Sequence, residues 1–575
     1  MRIYLLLSVP LFVLAPQATA ATLHVPGDHK TIQAALDASK PGDTVLVAAG
    51  TYREDVRVRE KLIVRSAGDD AKGTSGLKRA EATVIKGGGA DAKGPAVVLA
   101  DDAVLDGFTV TEAGVFDRKE YDKHVASRGE DLPDGRGAVG AGGEFPAVSL
   151  AGVTATVRNC IVRDNGRPGI GCTGGAGRKN ASVIVGNVAF QNMGSGIGVA
   201  DGATPTVEGN RCFNNLRSGI GIRNAGGLIA KNDCFENVRA GVGIREGARP
   251  TVRGNKCHQN RRAGIGCRMT GTAPLIADND CFENGMAGIG CRDQAAPVIL
   301  GNRCYKNALA GIGCRDGARP LIVGNECYRN KEAGIGSELA ARPVIAGNEC
   351  YENEAAGIGQ RSGAETFLVG NRVHHNKKAG IGFDECESGR SVVVSNKVTD
   401  NELVAIGVHS GWKVVLVGNE LAREGGLPPL VMVFKGAEAD VVGNTLRGSG
   451  VAGVRTEGMV RVVNNRFECP SLRKVGPPQF AVWGLAGSDV LLVGNTIDGW
   501  RHGLFAEKAR VVASGNTVSG YAGAGLRIDR PVGSTVAVGN VFRGETEQPG
   551  VEVTNGETVT VDNRFEKLKP LPPKK

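Results

Sequence analysis

Between residues 187 and 419 one phrase, Gly-Asn-x-Cys-aromatic-x-Asn followed by Ala-Gly-Ile-Gly, returns in close variations along this 575-residue chain. Its leading asparagine, used here as a phase mark, falls at Asn187, Asn210, Asn232, Asn255, Asn279, Asn302, Asn325, Asn348, Asn371, Asn396 and Asn419, in steps of 22 to 25 residues. A fixed period of this length dictates a solenoid, in which each repeat buries its apolar face only against its neighbours. Length is therefore no guide to domain number.

Gly, Asn and Pro break every apolar run after a few residues, too soon for a helix, so each repeat reads as short strands joined by tight turns. Three residues before the phase asparagine stands an aliphatic residue in every repeat, from Ile184 to Leu416, and ten residues after it a β-branched one, from Ile197 to Ile406. Two such columns make two inward ladders on different sheets. Cysteines two residues after the mark (Cys212 to Cys350) and twelve after it (Cys267, Cys291, Cys314) share the inward parity. A coil of about 23 residues with three strands, each pairing with its counterpart in the next coil, is an all-β, right-handed parallel β-helix. Roughly twenty coils at ~4.8 Å make a rod on the order of 95 Å long. Asparagines at the mark and five residues later are expected to satisfy turn backbone through their side chains.

The ends read differently. Residues 1–20 have the cationic start, apolar stretch and small final residues of a cleavable secretory signal, which predicts a secreted or periplasmic protein. No later apolar run approaches the ~18 residues of a membrane span. Residues 21–92 read as an N-terminal cap and first coils, with an amphipathic helix presenting Ile32, Ala35 and Leu36 on one face to close the open end of the rod. Residues 93–565 carry the repeats, most regular over 180–420, and the Pro- and Lys-rich 566–575 a disordered tail. A formal charge of +9 tilts the chain towards acidic partners. Outside the cytoplasm these are acidic polysaccharides or cell-envelope glycans rather than nucleic acid.

The N-terminal TIQAALDASKPGDTVLVAAGTY together with the GN…GIG coils resembles the secreted β-helix proteins of the pectin-lyase-like superfamily, and within it the repeat group of carbohydrate-binding proteins and sugar hydrolases that includes NosD-type copper-accessory proteins. The resemblance implies the fold over nearly the whole chain. It leaves open lyase, hydrolase, epimerase and non-catalytic binding functions, because fold alone does not choose among them. A copper-linked role would need accessible Met, His or Cys clusters, and only 6 Met occur.

Three sets of residues could carry function. Glycines flank the inward β-branched residue, as in Gly264 and Gly266 or Gly288 and Gly290, and strand alternation would point both outward. Thirteen residues after the mark stand Arg223, Arg245, Arg268, Arg292, Arg315 and Arg361, with Glu338 interrupting. A bare strip beside Arg245, Arg268, Arg292 and Arg315 would seat an acidic polymer. The plainer alternative is glycine for a positive φ and arginines paired with nearby acids. Asp293 and Asp316 would supply that pairing, or would hold Ca²⁺ on successive rungs. A second set gathers in sequence: His374, His375, Asp384, Glu385, Asp400 and His409, of which His374, Asp384 and His409 are the acid/base or metal candidates, against surface histidines in turns. The third is the charged insertion Ala113–Pro146, a wall for a groove, with Asp117, Tyr121 and His124 as candidate contacts. The cysteines read as buried thiols, as cross-core disulfides such as Cys257 with Cys267, or as metal ligands. The leading expectation is binding, with or without processing, of an acidic polysaccharide; the alternatives are a polysaccharide lyase or glycoside hydrolase, and a structural rod that self-associates through its bare sheet.

Overall fold

In the computed structural model, residues 20–567 are described except 72, 75, 128, 130, 133–144, 176, 178, 179, 449 and 545–548. The signal segment and most of the tail read from the sequence lie outside the described residues. The rest is one parallel β-solenoid, whose first sheet has 22 strands. Every strand pairs in parallel with its counterpart one coil away, as Val298↔Leu321, Cys304↔Cys327 and Ile312↔Ile335 show for the three sheets. No helix among the described residues is long and apolar enough to cross a membrane.

The phase asparagine stands at the turn between the first and second strands. Asn302 is typical: fully buried, it donates from Nδ2 to the Ile276 carbonyl (3.0 Å) and to Asn325 Oδ1 (2.9 Å), while its own Oδ1 accepts from the Asn279 backbone N–H and side chain (both 2.9 Å). The same bonds recur from Asn187 to Asn563. A second ladder, five residues on, does this at the next turn, as Asn284 does with Asn307 and the Cys257 carbonyl. A turn that would otherwise bury unpaired amides is thereby satisfied coil after coil.

The interior is the stack of inward residues anticipated from the repeat. Ile276, Ile299 and Ile322 face Cys281, Cys304 and Cys327, and Ile289, Ile312 and Ile335 close the third side, all fully buried. All 14 cysteines are free thiols. Burial pushes the Cys160 thiol up to about 12 and raises Cys304 and Cys350, so these sulfurs act as small hydrophobes. At the N-terminal end the helix Ile32–Ala38 seats Ile32, Ala35 and Leu36 in the core, with Thr31 as its N-cap, and covers the open end of the stack.

The aromatic residue of the repeat points outward from the second sheet and stacks on its neighbours. Phe190, Phe213, Phe235, His258, Phe282, Tyr305, Tyr328, Tyr351 and His374 form one column with centroids 4.7–5.2 Å apart and planes within 9°. Their faces are spent on one another, so the column serves packing rather than sugar stacking. His258 also meets Asp233 at 3.0 Å, and this bond raises its pKa from the ordinary value. A histidine whose folded pKa exceeds its unfolded one stabilises fully below the unfolded value, near 6.5, and less as pH rises through the folded value. The melting temperature is expected to fall across that window in the wild type more than in His258→Phe, which keeps the ring column but cannot titrate. Parallel profiles for the two proteins would contradict this.

Candidate functional site: a glycine-floored, arginine-walled groove

The outer face of the third sheet is a concave groove of about 950 Å³. Its floor is the glycine eleven residues after each phase mark. Gly171, Gly198, Gly221, Gly243, Gly266, Gly290, Gly313, Gly336, Gly359, Gly382 and Gly407 stand directly opposite one another from coil to coil. None has a positive φ, and a Cβ at Gly266 or Gly290 would meet nothing nearer than an alanine methyl at 3.8 Å. In the middle of the floor neither steric crowding nor backbone strain demands glycine, whereas at its N-terminal end a Cβ on Gly171 would meet Pro146 at 2.6 Å, and one on Gly221 or Gly243 the hydroxyl of Ser195 at 2.7 Å or of Ser218 at 2.6 Å. A floor left bare without structural need is open to a ligand.

The companion glycine two residues earlier behaves otherwise, which corrects the expectation that both face outward. A Cβ on Gly288 would lie 2.8 Å from both Asn307 Nδ2 and the Gly311 carbonyl. Strands of the third sheet begin one residue later, at Ile289, so Gly288 belongs to the turn, where strand alternation does not apply. It is glycine to let the asparagine ladder pass.

Two walls flank the floor. One is the row named from the sequence, Arg223, Arg245, Arg268, Arg292, Arg315 and Arg361, and Glu338, Asp384 and His409 continue it. Side-chain exposure climbs from 17% at Arg223 and 21% at Arg245 to 46% at Arg315 and 51% at Arg361, so the groove is deepest in its N-terminal half. Counter-charges stand on the outer side of the row. Arg223 meets Asp201 (3.2 Å), Arg245 meets Glu246 (3.4 Å), Arg292 meets Asp293 (3.5 Å) and Arg315 meets Asp316 (3.3 Å). Asp293 and Asp316 are thus engaged by arginine, and no group of three or more His, Cys, Asp or Glu among the described residues could hold a metal ion. The pair does not make the oxygen cage that Ca²⁺ takes.

The opposite wall was not anticipated. Arg167, Arg217, Arg239 and Arg262, seven residues after the phase position, line the groove across the floor from the first row. Arg239 and Arg262 donate from Nη2 to the carbonyls of Leu132 and Gly129, each at 2.6 Å. Those carbonyls belong to the Ala113–Pro146 insertion, whose described part stands against this wall. Its helix Arg118–Ala126 inserts Tyr121 among Met193, Leu216 and Val238, and the Tyr121 hydroxyl donates to the Asn214 carbonyl at 2.7 Å. Tyr121 and His124 are therefore buried and Asp117 caps the helix. The three supply packing, and none of them lines the groove.

The histidine constellation is divided by the fold. His374 ends the ring column of the second sheet, stacked on Tyr351 and bonded to Glu349 at 3.0 Å. Asp384 and His409 lie on the third sheet at the C-terminal end of the groove, on adjacent coils. Asp384 is bonded to Arg361 (2.8 Å), and His409 stacks on Phe434 with centroids 4.0 Å apart. Just beyond, Met432, Arg455, Trp483 and Phe505 replace the floor glycines in register and end the bare strip.

A family model described as a right handed beta helix region matches residues 206–336 and 276–421, and one described as a protein of unknown function, DUF1565, matches residues 24–238. The chain is a right-handed parallel β-helix. Solved structures similar to it include the A-module of the Azotobacter vinelandii mannuronan C-5 epimerase AlgE6 (16% identity, 84% of this chain and 94% of that one, TM-score 0.28). A second is the periplasmic alginate epimerase AlgG (14%, 69% and 83%, TM-score 0.30). A third is the catalytic unit of a GH87 α-1,3-glucanase from Streptomyces thermodiastaticus (12%, 65% and 61%, TM-score 0.34). At these identities the likeness is one of fold. No curated protein sequence matches the chain.

Proposed function

We propose that the protein binds an acidic polysaccharide lengthwise along the third sheet, with carboxylates or sulfates held by Arg245, Arg268, Arg292 and Arg315 on one wall and by Arg217, Arg239 and Arg262 on the other. The observation that carries this reading is two rows of guanidinium groups facing each other across a floor of glycine. Guanidinium pairs such anions in a planar, bidentate manner. A polymer backbone can approach the main chain closely only where side chains are missing. Eleven floor residues at ~4.8 Å give a run of about 50 Å, suited to an extended chain whose sugar repeat is near the rung spacing. Such polymers belong to the cell envelope and its exterior, in agreement with the secretory signal read in residues 1–20.

Titration of the protein with a polyuronate, its neutral glycan counterpart and single-stranded nucleic acid tests the proposal. The polyuronate is expected to bind most tightly, its affinity to rise with oligomer length until the groove is spanned, and its binding to weaken about tenfold or more as salt is raised through the range where the Debye length falls to a few ångströms. Equal binding of the neutral glycan, or salt-insensitive binding, would overturn it.

A further inference from the structure

The groove leaves another face of the rod unexplained. The first sheet turns two residues per coil outward, four and two before the phase asparagine, and its longer strands Gly389–Val394 and Trp412–Val417 add Arg390 and Lys413 six before it. From Leu275 and Ala277 to Val415 and Val417, seven coils in unbroken register, both columns are aliphatic or aromatic. Leu300, Leu321 and Phe367 remain 43%, 41% and 42% exposed. The inner of the two columns stays apolar further, through Val442, Val463 and Val493. On the adjoining corner the turn residue is glycine at Gly324, Gly347 and Gly370, with open space where a Cβ would stand. No side chain there overhangs the face.

A sheet face open to water normally carries polar residues. A contiguous apolar strip on a folded protein marks a contact surface. We propose that this strip is where a second copy of the same chain docks, first sheet against first sheet. Within its two columns the strip carries no charged group, and the charges on the same face, Arg390 and Lys413, stand two residues outside it. It repeats every ~4.8 Å, so the side-chain rows of an identical rod interleave with it along its whole length. A face that fits itself in this way meets the requirement of a two-fold, isologous contact. With strands of about three residues, the seven coils cover roughly 300–350 Å² in plan. Side-chain relief raises the accessible area towards the ~800 Å² that each partner buries in a specific dimer. The two grooves, on the third sheets, stay open in such a dimer. Self-association is thereby moved from the glycine strip, where the sequence had suggested it, to a different sheet.

Sedimentation of the full chain over a range of micromolar concentrations tests this. A dimer is expected, and Leu321→Lys with Val344→Lys is expected to be monomeric, with at least a tenfold weaker self-association and a melting temperature within a few degrees of the wild type, since both side chains lie outside the core. Should the double variant melt early, Phe367→Gln gives the same reading with a smaller perturbation. A wild type that stays monomeric throughout, or a dimer that survives the substitutions, overturns the proposal.

Discussion

Replacing Asn302 by alanine is expected to destabilise the protein by about 3–5 kcal/mol, because it strips partners from several buried groups at once, each orphan costing ~1–3 kcal/mol. The Asn279 amide and side chain lose their acceptor, the Ile276 carbonyl loses a donor, and Asn325 Oδ1 loses one of its two, all beyond the reach of bulk water. The backbone N–H of residue 302 remains but its geometry depends on the rung. The same substitution at Asn563, half-buried at the end of the ladder, is expected to cost about 1 kcal/mol, since water reaches what it exposes. Thermal melting combined with amide exchange at Asn279 separates the two. An Asn302→Ala protein within 1 kcal/mol of the wild type would show that the ladder is dispensable.

Arg268→Glu combined with Arg292→Glu is expected to weaken polyuronate binding by about 100-fold or more, because two charge-assisted contacts of ~1.5–3 kcal/mol each are replaced by repulsion. The two residues are neighbours on adjacent rungs of one wall, and their side chains leave the core untouched, so the melting temperature should hardly move. Glu338→Arg, which completes the row where it is interrupted, should act in the opposite sense by several-fold. Binding isotherms at low salt read both. A loss smaller than threefold in the double variant would remove the arginine wall from the binding account.

The fold was legible because the period is a physical one. Each coil must present the same residues inward at Ile299 and Cys304 as its neighbours do at Ile322 and Cys327, so the core is written in register in the sequence. One wall of the groove was legible for the same reason, since Arg223, Arg245, Arg268 and Arg292 end strands and Arg315 directly follows one. The other wall was not, because Arg217, Arg239 and Arg262 lie in a turn, where alternation gives no direction, and Met286 and Leu309 follow them in the column without charge. Gly288 was misplaced by extending strand parity one residue too far. His374 was grouped with Asp384 and His409 because ten residues of sequence look close, whereas in a coil of three faces ten residues is the distance from one sheet to the next. The insertion showed its charges in sequence but not Tyr121's anchoring, which depends on a pocket formed by Met193, Leu216 and Val238 from three separate coils.

The unbroken register of the floor glycines has a consequence for how a protein of this kind can change. Floor, walls and asparagine ladders each take one residue per coil, and each coil touches only its two neighbours, so removing or duplicating a whole repeat rejoins surfaces that already fit. Excising residues 280–302 would bring Asn279 against the segment that follows Asn302 and shorten the groove by one rung, near 4.8 Å. If the groove holds a polymer as proposed, ligand length is then a quantity this architecture can count, with preference for longer or shorter chains set by the number of repeats and altered without redesigning a single contact.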